Sequence, residues 1–541
     1  MNRSSRAGWD WGAILAAAGL VVFAVVAFAP ARATNFRGYD EWVIVSLTSR
    51  GILEFPYANR PLNLVWGLPA WWLYPDQFSG FLVFHVAWIA LGGVLTFLIT
   101  RRLLPGVTAL AYVAGALAIV WAPGDQSRVC SVQMILYSGC TFGALLATWL
   151  AVEAWARRSL ALAISAAVAG VVTILSFEAT MAPLALVPLC FLAGGGMRER
   201  RRLLVWTLAA GCLVFACALR FAAPRWTDPG RVAYQGGIAA DFTPGPLLDR
   251  TWRQLRRYVA PVFAPPPLER SWPFVPLSVA VFAVGFAVAS RRSPERPEGQ
   301  SPPRAALAVA AGLGLLWAAA SLMPFVLNPE THGAERMQFI PTPGIAVLFA
   351  ATAFALAAFL PARARLPAVF LLGGWIAASG VARVAALQAA WDTKSAYPDQ
   401  RSSLLGITAV VPDVAPGTLV VLLGGGGWAI DVSFRHALHY LYEGRAVGHS
   451  VDALEYLYTT RFESGGVRSS PRPVLERSWQ ETSVLYPYDA VVVVKAVENG
   501  RVTLAETWPD ELDPLPAGAS YAPRARIRKG PRLSRLRILG R

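Results

Sequence analysis

The run "AILAAAGLVVFAVVAFAP", Ala13 to Pro30, carries no charge and is about long enough to cross the ~30 Å hydrocarbon core of a bilayer as a helix. Taken alone it could be a secretory leader, since "MNRSSR" before it is basic and "APARA" offers a small-residue cleavage site. Similar runs recur as far as about residue 388, near 81–100, 106–122, 132–154, 160–177, 180–196, 203–221, 274–290, 305–325, 343–360 and 366–386. Together they predict a polytopic α-helical membrane protein with about eleven spans.

Composition agrees, with 55% hydrophobic and only 15% charged residues. The net charge of +16 would suit a nucleic-acid binder, but it is almost all arginine, with lysine only at 394, 495 and 529. The arginines gather at the ends of apolar runs, where anionic headgroups and the positive-inside rule account for them, and no nucleic-acid partner is expected. Five cysteines, Cys130, Cys140, Cys190, Cys212 and Cys217, lie mostly inside apolar runs without metal-ligand spacing, so neither a disulfide framework nor a zinc site is expected.

Alternate gaps between spans hold Arg101–Arg102, Arg157–Arg158, "RERRR" at 198–202, Arg291–Arg292 with Arg296 and Arg304, and Arg363 with Arg365. Placing these inside gives a cytoplasmic N-terminus and puts 31–80, 220–273, 323–343 and the C-terminal segment outside, in the inner membrane of a cell envelope. The expected domains are therefore 1–388, in the membrane, and 389–541, an extracytoplasmic domain. In the latter, "GTLVVLLGGGGWAID" reads as a buried strand and turn and "SFRHALHYLYEG" as an amphipathic helix. A hairpin is expected in "YDAVVVVKAVENGRVTLAE", and the whole forms a small α/β domain. The "GGGG" at 424–427 lacks both GxGxxG and a P-loop lysine, and His436 and His439 lack a third metal ligand.

The first outer loop holds "YDEWVIVSLTSRG", expected as a short interfacial helix ended by Gly51, and "RPLNLVWGLPAWWLY", expected as a second one with an aromatic belt. Asp40 and Glu41 are adjacent, and ~100° per residue on a helix aims them apart, one at a cavity and the other in support. An isolated acidic pair also suits any helix N-terminus. Two further features add weight. Glu178, in "TILSFEATMAPLAL", lies between two apolar runs, where a carboxylate is costly unless paired or beside water. "ETHGAERMQFIPTPG" brings Glu330, His332, Glu335 and Arg336 just before the tenth span; the Arg336 fork suits a phosphate, and His332 could move a proton. "DRTWRQLRRYVAPVF" reads as an interfacial amphipathic helix, and 290–305 as a linker.

The acidic pair after the first span, "NRPL" at 59–62 and "ERMQFIPTPG" together resemble the GT-C superfamily of integral-membrane glycosyltransferases. The similarity is to transmembrane O-mannosyltransferases and their bacterial relatives, where "YRPL"-like and "ERYLYLPSxG"-like motifs stand in corresponding places. Here the tyrosine is missing, "MQFIPT" replaces "YLYLPS", and no tetratricopeptide repeats follow. The resemblance implies inverting, hexosyltransferase-like transfer of a sugar from a polyprenyl-phosphate-linked donor to a hydroxyl of a glycan, lipid or protein acceptor on the outer face. It implies Asp40 as base, Glu41 as support, Arg60 and Arg336 near the phosphate, and Glu178, Glu335 and His332 around the substrate. Such carboxylates are compatible with a divalent cation, Mg or Mn, although no ligand spacing demands one. A lipid or glycan transporter or flippase would also be polytopic, but no repeated halves are evident. A non-catalytic envelope-assembly protein would have no use for the acidic pair.

Overall fold

The computed structural model describes residues 10–54, 60–104, 107–121, 127–193, 206, 210–211, 215, 242–263, 272–291, 304–327, 338–425, 427–473, 475–476, 481–497, 501–529 and 533–540. Most of the seventh expected span, the linker after Arg291 and residues 328–337 lie outside them.

The described apolar runs fold as helices: α1 Trp11–Phe28, α4 Phe78–Leu103, α5 Thr108–Val120, α6 Ser131–Arg157, α7 Leu160–Ser176, α11 Phe274–Arg291, α12 Arg304–Leu327, α13 Thr342–Ala357 and α14 Ala362–Lys394. Six helical segments among the described residues are long and apolar enough to cross a membrane. The sixth run differs from the single span expected. It breaks into a 3-10 turn at Glu178–Thr180, α8 Met181–Ala185 and α9 Val187–Ala193, where Pro183 and Pro188 lack the amide protons of a continuous helix. Where the bundle packs closest, glycine makes it possible: a Cβ on Gly314 of α12 would come 2.6 Å from the Gly344 carbonyl of α13.

The ends of the bundle differ chemically. At one, Glu153 of α6 pairs with Arg157 at 2.6 Å and with Arg102 of α4 at 3.4 Å, and Arg101 pairs with Asp10. The other carries the acidic pair. Two short helices follow that pair, α2 Glu41–Ser49 and α3 Leu68–Leu73. Gly51, at φ +70°, ends α2 as expected. The position of α2 is a correction to the interfacial reading, because residues 41–48 are all buried. At 1.5 Å per residue α14 is about 50 Å long, so it outreaches a ~30 Å hydrocarbon core and carries the chain to α15, Tyr397–Val410.

Beyond α15 lies the small α/β domain. Its main sheet has the order β2-β1-β6-β7, formed by β1 Thr418–Leu423, β2 Ala446–Ser450, β6 Val491–Ala496 and β7 Val502–Leu504. β1 runs parallel to β2 and β6, while β6 and β7 form the expected antiparallel hairpin. Alternation along β1 sends Leu419, Val421 and Leu423 to one apolar face, against Trp508 and Tyr488, and Val420 and Leu422 to the other. A second sheet, β3 Tyr458–Glu463, β4 Gly466–Pro471 and β5 Val484–Tyr486, is antiparallel. Helix α16, Asp431–Leu441, connects β1 to β2 and packs on α2. One apolar core therefore runs from Trp42, Val43 and Leu47 of α2 into Phe434, Leu438 and Val420 of the domain. Tyr440 of α16 fits between Trp42 and Trp71, and its hydroxyl donates to Asp76, which holds a left-handed backbone at φ +57°. Helix α10, Pro244–Phe263, is the amphipathic helix expected from its arginines.

Candidate active site

The turn before α2 is shaped by its second acid. Glu41 is 0% exposed; one carboxylate oxygen accepts from the Arg37 amide at 2.6 Å and the other from the Tyr39 amide at 3.0 Å. Gly38 between them has φ +88°, and a Cβ there would meet that of Ala396 at 3.1 Å. Both Glu41 oxygens hold the turn, which leaves Asp40 to face the other way. Asp40 stands at the N-cap position of α2 without capping it, and one of its oxygens accepts from Gln133 Nε2 of α6 at 3.0 Å.

Burial pushes the Glu41 carboxyl from 4.5 up to about 7; its amide bonds offset part of this, and neighbouring Asp40 adds to it. A folded carboxyl that holds its proton more tightly than an unfolded one contributes stability at low pH, and that contribution fades as pH rises from 4.5 towards 7. Glu41→Gln is expected to remove this component, which at 1.36 kcal/mol per pKa unit is on the order of 3 kcal/mol. In melting curves from pH 5 to 8, the wild-type midpoint should therefore fall relative to the variant as pH rises. His439 and His449, lowered by burial to about 4, are common to both proteins and cancel in the difference. A wild-type midpoint that keeps a constant offset from the variant, or rises against it, across this range would show that Glu41 does not titrate as described.

Arg60 and Glu178 meet although they are far apart in sequence. Arg60 Nε and Nη2 each donate to a different Glu178 oxygen at 2.6 Å, a bidentate fork. The turn at Pro61 and Leu62 lies along the end of α7: the Leu62 amide donates to the Leu175 carbonyl at 3.3 Å, and Asn63 Nδ2 to the Ser176 carbonyl at 2.8 Å. Phe177 turns its ring under the guanidinium at 4.4 Å and meets Tyr137 edge-on at 5.3 Å. The Arg60 side chain is 10% exposed and that of Glu178 32%, so the pair is sheltered yet reaches water. Two of the five guanidinium donors are used by Glu178, and the other three have no side-chain or carbonyl partner among the described residues.

Helix α6 ties the two groups together. Gln133, Tyr137 and Cys140 recur at i, i+4 and i+7 on one face; Gln133 bonds Asp40, while Tyr137 and Cys140 pack with Phe177 beneath Arg60. Seven residues of helix span ~10 Å, so Asp40 and the ion pair stand within about two turns of each other along α6. His332, Glu335 and Arg336 lie outside the described residues. The motif that contains them ends beside the same face, because Ile340 is buried against Cys140, Phe177 and Phe325. Phe339, next to it, packs on His85 and under Arg128, whose guanidinium donates to carbonyls at the end of α5. Among the described residues no cluster of three metal-ligating side chains occurs.

No family model and no curated protein matches the chain. Among solved structures it is similar to ArnT from Cupriavidus metallidurans bound to undecaprenyl phosphate, at 14% identity over 82% of this chain and 86% of that one, with a TM-score of 0.41. It is also similar to the archaeal oligosaccharyltransferase AglB from Archaeoglobus fulgidus in complex with an inhibitory peptide and a dolichol-phosphate, at 14% identity over 82% and 65%, with a TM-score of 0.40. The A. fulgidus enzyme in complex with Zn and sulfate matches with a TM-score of 0.31.

Gln133 was not among the residues expected from the sequence. The available signal was a polar stripe, Gln133, Tyr137 and Cys140, at helical spacing on an otherwise apolar span.

Proposed function

We propose that this protein transfers a sugar from a polyprenyl-phosphate-linked donor to an acceptor hydroxyl at the outer face of the cytoplasmic membrane. The observation that carries the reading is the gathering, on one face of α6 at one end of an apolar bundle, of a carboxylate bonded to Gln133 and a sheltered arginine with three donors that no described residue takes. The basic loops support the orientation, and the three motifs support the reaction class.

In this reading the acceptor oxygen attacks the anomeric carbon from the Asp40 side as its proton passes to the Asp40 carboxylate. The bond from that carbon to the phosphate oxygen breaks on the opposite side, with its electron pair leaving on the lipid phosphate, so configuration inverts. Arg60 and Arg336 balance the charge that develops on the departing phosphate. Glu178 keeps the Arg60 fork oriented, Glu41 keeps the acidic turn closed, and Glu335 and His332 contribute polar contacts to the sugar. Mass spectrometry of envelope glycans, glycolipids and glycoproteins from cells with and without the gene is expected to show at least one glycan short by one sugar in its absence. Identical glycan profiles would remove the reading.

A further inference from the structure

Buried amide side chains near this end of the bundle are mostly used to the full. Asn35 and Gln388 bond each other through both amide atoms, and Gln400 joins Trp42 to the Gly427 carbonyl. Three others leave amide atoms without a partner among the described residues: Gln254 of α10 and, close to the candidate site, Gln133 of α6 and Gln338 before α13. Gln133 is 4% exposed; its Nε2 is committed to Asp40, and its Oε1 has no hydrogen-bond partner. The carboxylate fixes which amide atom is which, because Asp40 can only accept, so the unpartnered atom is an acceptor. Gln338 is 1% exposed, and neither its Oε1 nor its Nε2 has a partner among the described residues. It stands two residues before Ile340, in the turn leading into α13, where the motif that this segment resembles has leucine.

An unpaired buried amide destabilises a fold, and an apolar residue of similar shape would remove that cost. The hydrogen-bonding chemistry of these amide atoms selects among ligands. The phosphodiester of a lipid-linked sugar offers only acceptors and cannot satisfy either glutamine oxygen; an isoprenoid chain offers nothing polar. The acceptor hydroxyl is expected to give its proton to Asp40. Ring hydroxyls both donate and accept, which matches two amide oxygens and one amide nitrogen.

We propose that Gln133 and Gln338 bind the ring hydroxyls of the donor sugar and so set which sugar is transferred, with Gln133 also positioning Asp40. This rests on the glycosyltransferase reading, and the test separates the two. The full chain in lipid nanodiscs is melted with farnesyl phosphate, and with a panel of farnesyl-phosphoryl sugars (mannose, glucose, galactose, arabinose). Wild type is expected to gain a further upward shift from at least one sugar over bare farnesyl phosphate. Gln338→Leu is expected to melt no lower than wild type without ligand, to keep the farnesyl phosphate shift, and to lose the sugar-dependent part, at least tenfold in affinity. Gln133→Met is expected to lose the same part. The inference is overturned if both variants keep the sugar-dependent shift, if Gln338→Leu melts lower without ligand, or if wild type responds to farnesyl phosphate but to no sugar. A wild type that responds to neither overturns this inference and the proposed function together.

Discussion

Asp40→Asn is expected to lower sugar transfer by ~10²- to 10⁴-fold, the range typical of a lost general base, while donor binding stays nearly intact. The amide keeps the shape of the carboxylate, and its oxygen can still accept from Gln133 Nε2, so the turn held by Glu41 should survive. What disappears is proton affinity at one atom. Turnover under saturating donor and the dissociation constant of a farnesyl-phosphate-linked donor, measured on the same nanodisc preparation, check the split. Loss of donor binding would make Asp40 a binding group, and unchanged turnover would make Glu178 the better candidate base.

The second large effect is expected at the Arg60–Glu178 fork. Removing one partner leaves the other charge poorly solvated; a fully buried pair would lose about 3–5 kcal/mol. Because about a third of the Glu178 side chain is exposed, the expected loss here is nearer ~1–3 kcal/mol for either Arg60→Met or Glu178→Gln. The double variant Arg60→Met with Glu178→Met should recover much of that stability without recovering transfer, since the phosphate contact is lost with the arginine. Arg60→Lys keeps a charge without the fork, so donor binding and turnover should fall together. Melting midpoints and donor affinities of the four variants separate a strut from a phosphate contact. A double variant with normal transfer would confine the pair to a structural role.

These expectations draw unequally on what was legible in the sequence. The spans were readable because a bilayer tolerates few charges, and β1 and the β6–β7 hairpin because β1 and β6 are continuous apolar runs, whereas β2 and the second sheet were not among the expected elements. The divergence of Asp40 and Glu41 followed from helical geometry alone. The burial of α2 did not, because what covers it, α16 and α15, arrives from the far end of the chain. The Arg60–Glu178 pairing was likewise hidden: each residue stood out locally, and only the approach of Leu62 and Asn63 to the end of α7 joins them. Gln133 was missed because one polar residue on an apolar helix is a weak signal until its partner is known.

The proposed function puts a lipid phosphate beside Arg60 and a sugar between it and Asp40. An experimental structure of the protein in nanodiscs with farnesyl phosphate tests that claim most directly. The account expects phosphate density within hydrogen-bond reach of the unused Arg60 donors, at the α6 face formed by Gln133, Tyr137 and Cys140. Phosphate bound at the opposite end of the bundle, beside Arg102 and Arg157, would contradict it.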